Sequence, residues 1–295
     1  MIGIRFDLEF VWGFQCKVVG LSKSSPSFYY PPPTTILGAI AEQIAKEYKI
    51  GEKRGKEIIP LLSANLLALG IKPLNCTPVK FSDINRLITL KVTGRKVTGR
   101  GPYPRPDVTL KVTRRSLYPR PDDIAGSFDA PAVGKTMLSP LEGEPPRLRA
   151  IVIFKDKTIS LQSERIEIAS DLIWRIHRIG SKESLVSVID VRDFHPNKIE
   201  GDVDTEYSFP LLEGVTLLRE DSPSWVRETV VNPFTIKSYD EKQNPVIDYL
   251  QGINILQYMQ PIKLAVQPRY RVKLSPNSCG YKVDNEQVIG RCQQQ

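Results

Sequence analysis

The sequence predicts an α+β protein: a ferredoxin-like domain over residues 1–194, then a smaller β-rich subdomain over residues 195–295. Three observations support this prediction. The N-terminus alternates with a period of two, and the first two thirds of the chain give the element order β-α-β-β-α-β, which is the ferredoxin-like order. A long basic segment lies where the second and third strands should be joined by a hairpin. From about residue 195, short β-like pieces lie between turns rich in Pro, Asn and Asp.

The first elements are the clearest. Large apolar residues recur at every second position of the N-terminus, which is typical of a half-buried strand: Ile2, Ile4, Phe6, Leu8, Phe10 and Trp12. Prolines at 31–33 followed by Thr34 predict the start of a helix, with its end near Gly51. Its apolar face comprises Ile36, Leu37, Ile40, Ala41, Ile44, Ala45 and Tyr48. Residues 60–69 predict a second short helix, closed by Gly70.

Residues 86–92 predict the second strand, which runs into the basic segment. The chain returns as a strand over residues 149–154 and turns at Asp156 into residues 158–161. A helix follows, marked by Ile166, Ala169, Leu172, Ile173 and Ile176 and ended by Gly180. Residues 185–191 predict the last strand of this domain.

The positive charge is concentrated in one block. The chain has 41 basic and 33 acidic residues, a net charge of +8. The window from Lys80 to Arg120 alone carries +9, from eleven basic and two acidic residues. Such a block is typical of proteins that bind a polyanion, and seven of its cations are arginines, whose guanidinium group matches phosphate oxygens. The alternative is a solvated loop that keeps the protein soluble.

The basic block also repeats itself. Residues 96–107 recur as residues 111–122, and residues 91–95 are a partial copy. Each full unit joins Lys-Val-Thr and arginine to Tyr-Pro-Arg-Pro-Asp, which pairs a tyrosine for base stacking with arginines for phosphates. We expect a hairpin-like finger at about residues 91–147, because an ordinary hairpin loop has only about 2–5 residues. The candidate RNA contacts are Arg95, Lys96, Arg100, Tyr103, Arg105, Arg114, Arg115, Tyr118 and Arg120. A Pro-rich loop without a ligand is the alternative.

A second candidate site precedes the last strand, at residues 175–184. It combines a glycine, a hydroxyl and cations in Arg178, Gly180, Ser181 and Lys182, which suits a phosphate-binding loop. The same residues suit a helix C-terminus with a glycine cap and favourable positive charges. The residues alone leave both interpretations open.

Other chemistries are poorly supported. Gly134-Lys135-Thr136 is not a phosphate loop, because Asp129 stands where that motif needs glycine. The four cysteines, Cys16, Cys76, Cys279 and Cys292, lie far apart, so we expect free thiols and neither a disulfide framework nor a zinc site. We expect no cofactor. No apolar run reaches the roughly 18 residues of a membrane helix, and no signal peptide is indicated, so we expect a cytoplasmic protein without membrane contact.

Two segments resemble the CRISPR-associated RAMP superfamily. Residues 30–40, Tyr-Pro-Pro-Pro-Thr-Thr-Ile-Leu-Gly-Ala-Ile, are similar to the start of the first helix in those proteins. Residues 178–188, Arg-Ile-Gly-Ser-Lys-Glu-Ser-Leu-Val-Ser-Val, are similar to their glycine-bearing loop before the last strand. Together the segments resemble the "Cas-five" subunit of archaeal type I-A effector complexes (Cascade).

This resemblance implies a non-catalytic RNA-binding subunit in antiviral defence, which holds the 5′ handle of the CRISPR RNA (crRNA). It implies a thumb-like hairpin between the second and third strands that touches RNA and the neighbouring "Cas-seven" backbone subunit. Other Cascade proteins are implied partners, and target DNA is met only through the complex. We expect the handle at Arg178, Ser181 and Lys182.

Two alternatives remain at this point. The chain could be a metal-independent endoribonuclease that processes precursor crRNA, with His177 or His195 as a general base assisted by a Tyr/Lys pair. It could also be a structural module whose basic finger meets an acidic protein surface. A steep loss of RNA affinity with salt would disfavour that module.

Overall fold

A computed structural model describes residues 1–16, 18, 24–84, 132–218, 224–237, 249–262 and 269–293. These residues are mostly in strands and helices are few, so the β content is higher than the predicted α+β class implies. The helices are α1 (Pro33–Glu47), α2 (Glu52–Asn65) and α3 (Ser170–Trp174). The strands are β1 (Ile2–Phe10), β2 (Gly13–Phe14), β3 (Ser24–Ser25), β4 (Leu66–Pro73), β5 (Cys76–Ile84), β6 (Ala132–Pro140), β7 (Arg147–Phe154), β8 (Thr158–Leu161), β9 (Glu164–Glu167), β10 (Val186–Phe194), β11 (Asn197–Ile199), β12 (Asp202–Thr205), β13 (Phe209–Pro210), β14 (Thr216–Leu217), β15 (Trp225–Val231), β16 (Ile255–Pro261), β17 (Tyr270–Lys273), β18 (Ser278–Val283) and β19 (Glu286–Arg291).

Seven strands form the main sheet in the spatial order β10-β1-β7-β4-β19-β18-β11, and neighbouring strands are antiparallel. The predicted N-terminal strand is confirmed as β1. Its alternate residues Ile4, Phe6 and Leu8 are buried in one apolar core with residues of all three helices. The alternation follows from the period of a strand, which sends successive side chains to opposite faces.

The second predicted helix is wrong in its later part. Within residues 60–69, α2 ends at Asn65 and β4 begins at once. Because apolar residues occupy both buried faces of β4, its sequence lacks the period of two that identifies a half-buried strand. Gly70 does not end a helix; a Cβ there would lie 2.9 Å from the Cβ of Tyr207, so the packing of β4 requires a glycine. The helix predicted from Ile166 is shorter than expected, since that residue belongs to β9 and α3 begins at Ser170.

The insertion between β4 and β7 begins as a paired hairpin. β5 and β6 are antiparallel from Cys76 opposite Pro140 to Ile84 opposite Ala132. β6 also pairs with β2 and β3, so this hairpin belongs to a second, four-stranded sheet. The predicted strand at 86–92 and all nine candidate RNA contacts of the basic repeats lie outside the described residues.

The C-terminal residues join the main sheet. β19 pairs with β4 at Gly290 opposite Ala68, and β18 and β11 extend the sheet beyond it. The expectation of four free thiols is wrong, because Cys279 and Cys292 form a disulfide with a Cα–Cα distance of 5.0 Å. The β18–β19 hairpin brings these distant positions together, whereas Cys16 and Cys76 are buried free thiols.

The other face of the main sheet carries a partly buried ionic network. Arg149 on β7 donates two hydrogen bonds to Asp7 on β1, at 2.6 and 2.7 Å. Lys72 on β4 pairs with Glu206 at 2.9 Å and with Glu286 on β19. The network therefore ties three central strands to the C-terminal part of the chain.

This network predicts acid lability. Although burial alone would raise the pKa of Glu206 and Glu286, the hydrogen bond and charge of Lys72 bring both carboxyl pKa values below their ordinary value. A depressed folded pKa stabilises the protein above the unfolded pKa of about 4.3 and loses this contribution as the pH falls through the folded value. We expect the melting temperature to drop below about pH 4.5, and Glu286→Gln to flatten that drop. Melting curves recorded across a range of pH measure this drop in melting temperature. Glu200→Gln is the control, because the Glu200 side chain is 80% exposed. Equal pH profiles for Glu286→Gln and the unmodified protein would refute the role of the network.

Candidate nucleic-acid interface

The loop that precedes β10 is a compact turn, which we call the Gly180 loop (residues 178–184). Arg178 bridges to Leu185, and the Ile179 N–H donates to the Ser184 carbonyl at 3.1 Å. The Ser184 N–H in turn donates to the Ser181 carbonyl at 3.0 Å. These bonds give the loop a defined shape at the end of the main sheet.

The Gly180 loop packs closely on the chain that follows β2. The Gln15 N–H donates to the hydroxyl of Ser184 at 2.9 Å, and the Ser181 N–H donates to the Gln15 carbonyl at 3.2 Å. Gly180 has φ +97°, and a Cβ there would lie 2.8 Å from the Cys16 Sγ. The glycine is therefore required by both its backbone conformation and this contact.

The three candidates of the loop that have side chains, Arg178, Ser181 and Lys182, differ in how exposed and how engaged those side chains are. The Arg178 guanidinium pairs with Glu42 of α1 at 3.3 Å, and the Ser181 hydroxyl lies 3.1 Å from that of Ser184. The Lys182 side chain is 85% exposed, and its one ion pair among the described residues, with the Glu183 carboxylate, is long at 3.9 Å. The structure thus places Lys182 as the accessible cation of the loop, while Arg178 fastens the loop to α1.

A cavity of about 240 Å³ lies between the Gly180 loop and the start of α1. α1 begins with Pro32 as its N-cap and Pro33 in its first turn, a common arrangement because proline needs no helical N–H donor there. A helix N-terminus carries partial positive charge and favours anions. The cavity is lined by Gln15, Cys16, Phe28, Pro32, Thr34, Thr35, Gly180, Val231 and Tyr249.

The cavity wall offers hydroxyls and aromatic rings but no ionised thiol. Burial raises the pKa of the Cys16 thiol to about 12, so the thiol stays neutral at physiological pH. Phe28 and Tyr249 supply aromatic surface, and Thr34 and Thr35 supply hydroxyl groups. Sequence reasoning identified the Pro-Thr helix start but not this pocket, because its walls come from segments more than 200 residues apart.

Lys80, the first cation of the basic block, makes its contacts within the protein. Lys80 on β5 pairs with Glu228 on β15 at 2.8 Å and lies 3.8 Å from the centroid of the Tyr29 ring. Glu228 also accepts the Tyr29 N–H, at 3.0 Å to each oxygen. Burial raises the pKa of this carboxyl, although Lys80 opposes the rise. This clamp joins the base of the insertion to the segment that leads into the cavity.

Other sequence features are placed as follows. Gly134-Lys135-Thr136 lies within β6, in agreement with its rejection as a phosphate loop. His177 and His195 are exposed, and the Nδ1 of His177 lies 3.3 Å from the Arg175 carbonyl.

In the described ranges, no group of three or more His, Cys, Asp or Glu could hold a metal ion. Nor does any helix among them have the length and apolar character to span a membrane.

Comparisons with known proteins point to one family. No family model matches the chain. "CRISPR system aCascade subunit Cas5 1" of Saccharolobus solfataricus is 26% identical over 238 residues, which are 77% of this chain and 84% of the relative. "CRISPR-associated protein Cas5 2" of the same organism is 27% identical over 61% of this chain and 57% of its own length.

A solved structure is more similar still. The crystal structure of a CRISPR protein from Archaeoglobus fulgidus is 39% identical and has a TM-score of 0.68. The match covers 99% of this chain and 100% of the other. An identity of this size over the whole length, together with the named relatives, confirms the resemblance to the RAMP superfamily and its "Cas-five" subunit that residues 30–40 and 178–188 indicated. The chain belongs to the Cas5 family of CRISPR-associated RAMP proteins.

Proposed function

We propose that this Cas5 protein is a non-catalytic, RNA-binding subunit of a type I-A effector complex, and that it holds the 5′ handle of the crRNA. The observation that carries the proposal is the cavity between the Gly180 loop and the N-terminus of α1. At about 240 Å³ it is smaller than the roughly 300–1,000 Å³ of most small-molecule pockets, which suits one nucleotide unit of a longer chain. Lys182, two residues after the lining residue Gly180, has an accessible side chain.

The strand order supports an RNA-binding interpretation. β1 and β4 are joined through α1 and α2, β7 and β10 through α3, and these four strands lie in the order β10-β1-β7-β4. We infer that residues 1–194 form a ferredoxin-like domain, because this is the fourth-first-third-second order of that fold. The C-terminal strands extend it on the β4 side.

The basic insertion supplies the second half of the proposal. Its base, β5 and β6, is fastened by the Lys80–Glu228 pair to the segment that leads into the cavity. We infer that the repeated arginines and Tyr103 and Tyr118 continue the RNA contact and reach the "Cas-seven" backbone subunit. Other Cascade proteins complete the assembly, and target DNA is met through guide pairing.

The salt dependence of RNA binding tests the basic block. Removing two phosphate contacts from a single strand should lower the slope of log K against log salt by roughly 1.4. We expect that change for Arg114→Ala/Arg115→Ala and none for Arg192→Ala/Arg271→Ala, which removes the same charge from exposed positions outside the block. Fluorescence anisotropy with a labelled handle RNA, repeated across salt concentrations, measures the slope for each double variant. Identical slopes for the two variants would contradict an RNA contact at Arg114 and Arg115.

A further inference from the structure

The β5–β6 hairpin has one packed face and one open face. Pro78, Thr136 and Leu138 are buried on the inner side. On the outer side Val79 and Phe81 of β5 and Met137 of β6 are 42%, 41% and 44% exposed. Single exposed apolar residues are common on protein surfaces, but adjoining ones mark contact sites. The three side chains on this hairpin therefore indicate a contact site.

Trp12 and Lys135 complete this open face. Phe81 lies opposite Lys135 across the hairpin, and Met137 lies opposite Gly13, the residue after Trp12. The Lys135 ammonium is 6.0 Å from the centroid of the Trp12 ring. We call these five residues, Trp12, Val79, Phe81, Lys135 and Met137, the Trp12 face.

The Trp12 face is continuous with the Gly180 loop. The indole N–H of Trp12 donates to the Glu183 carbonyl at 2.9 Å, which fixes the ring beside the loop. The pKa of the Glu183 carboxyl is lowered, first by its hydrogen bond with Ser181 and further by the charges of Lys182 and Lys135. The ammonium groups of Lys182 and Lys135 are therefore both close enough to Glu183 to place positive charge where the Gly180 loop meets the Trp12 face.

We propose that the Trp12 face is a stacking platform for the bases of single-stranded RNA that continues from the Gly180 loop. The inference rests on the proposed function and adds a binding site to it. Aromatic rings stack on any base, and neighbouring cations hold the phosphates between stacked bases. Trp12 and Phe81 supply the rings, and Lys135 and Lys182 supply the cations. Phe81 itself belongs to the basic block of residues 80–120, which links this face in the sequence to the other candidate RNA contacts.

A ligand lacking bases provides the sharpest test. The probe is a labelled single-stranded RNA of about eight nucleotides, compared with the same length of abasic ribose-phosphate chain. We expect Trp12→Ala and Phe81→Ala each to weaken binding of the intact RNA about 5- to 100-fold, the range for loss of one base–aromatic stack. Binding of the abasic chain should be unchanged, and so should the salt slope, because the phosphate contacts remain.

The controls separate stacking from misfolding. Trp174→Ala removes an exposed tryptophan, 48% accessible, from α3, away from the Trp12 face, and should leave RNA affinity unchanged. Trp12→Phe keeps a ring and should recover most of the affinity lost in Trp12→Ala. Thermal melting identifies any variant that fails to fold, in which case Phe81→Ala carries the test.

The outcomes distinguish this inference from the proposed function. If the unmodified protein binds RNA with a steep salt dependence but Trp12→Ala and Phe81→Ala bind as tightly, the platform is refuted and the proposed function stands. Loss of assembly with other Cascade subunits by these two variants, with RNA affinity intact, would assign the face to a protein partner and also refute the platform. No RNA binding at low salt would overturn both.

Discussion

Gly180→Ala is expected to disrupt the Gly180 loop and the cavity together. The residue has φ +97°, and an added Cβ would lie 2.8 Å from the Cys16 Sγ and 3.0 Å from the Gln15 carbonyl oxygen. A positive φ alone costs a residue with a side chain about 1–3 kcal/mol, and the close contacts add to it. The loop must then move away from the segment after β2, which displaces a wall of the cavity and breaks the hydrogen bond from the Ser181 N–H to the Gln15 carbonyl.

Two measurements follow from this displacement. The free energy of unfolding should fall by about 1–3 kcal/mol, and handle RNA should bind about tenfold more weakly, which corresponds to about 1.4 kcal/mol. Gly143→Ala is the matched control, because nothing lies within 4 Å of a Cβ there. In a Cys16→Ala background the cost of Gly180→Ala should shrink, since one of the two contacts is relieved. A Gly180→Ala protein with normal stability and normal RNA affinity would show that the loop does not depend on this packing.

Arg291→Ala is expected to be strongly destabilising. The guanidinium of Arg291 donates to the carbonyl oxygens of Leu66, Phe234, Ser63 and Ala64, at 2.7, 3.3, 3.3 and 2.5 Å. Three of these carbonyls lie at or just after the C-terminus of α2, where a positive charge also complements the helix dipole.

The expected loss is about 2–4 kcal/mol in the free energy of unfolding, because several carbonyl groups lose their donor at once. Arg291→Lys should be intermediate, since one ammonium group keeps the charge but cannot reach four carbonyls. Chemical denaturation measures the loss, and Arg271→Ala on β17, where the side chain is 60% exposed, is the control. Equal stability of Arg291→Ala and Arg271→Ala would contradict the capping role.

Local patterns explain which parts of the fold could be predicted. β1 is buried on both faces, but one face is apolar and the other carries the polar residues Arg5 and Asp7, so its period of two is visible in the sequence. The period of about 3.6 in α1 is visible because its buried residues lie mainly on one face. β4 has no such signal because apolar residues occupy both of its buried faces, and Gly70 resembled a helix stop although its role is close packing on Tyr207. The Cys279–Cys292 pairing depends on the β18–β19 hairpin, which the spacing of the cysteines does not reveal.

Only the parts of the candidate site that form continuous segments could be predicted from the sequence. Residues 30–40 and 178–188 resembled family motifs because each is a continuous segment. Gln15, Phe28 and Tyr249 line the cavity only after the chain has folded, and they share no local pattern with those segments. Arg178 was assigned to RNA from its charge, yet its partner Glu42 lies more than a hundred residues away and supplies an ion pair within the protein.

RNA binding and cleavage by the purified protein test the central claim most directly. A labelled precursor crRNA is incubated across a range of salt concentrations, with and without EDTA, and both the bound fraction and the RNA length are measured. We expect binding that weakens steeply with salt and RNA that stays intact. Specific cleavage that survives EDTA and is lost on changing His177 or His195 would contradict the claim and establish a nuclease, and the absence of binding at low salt would contradict it equally.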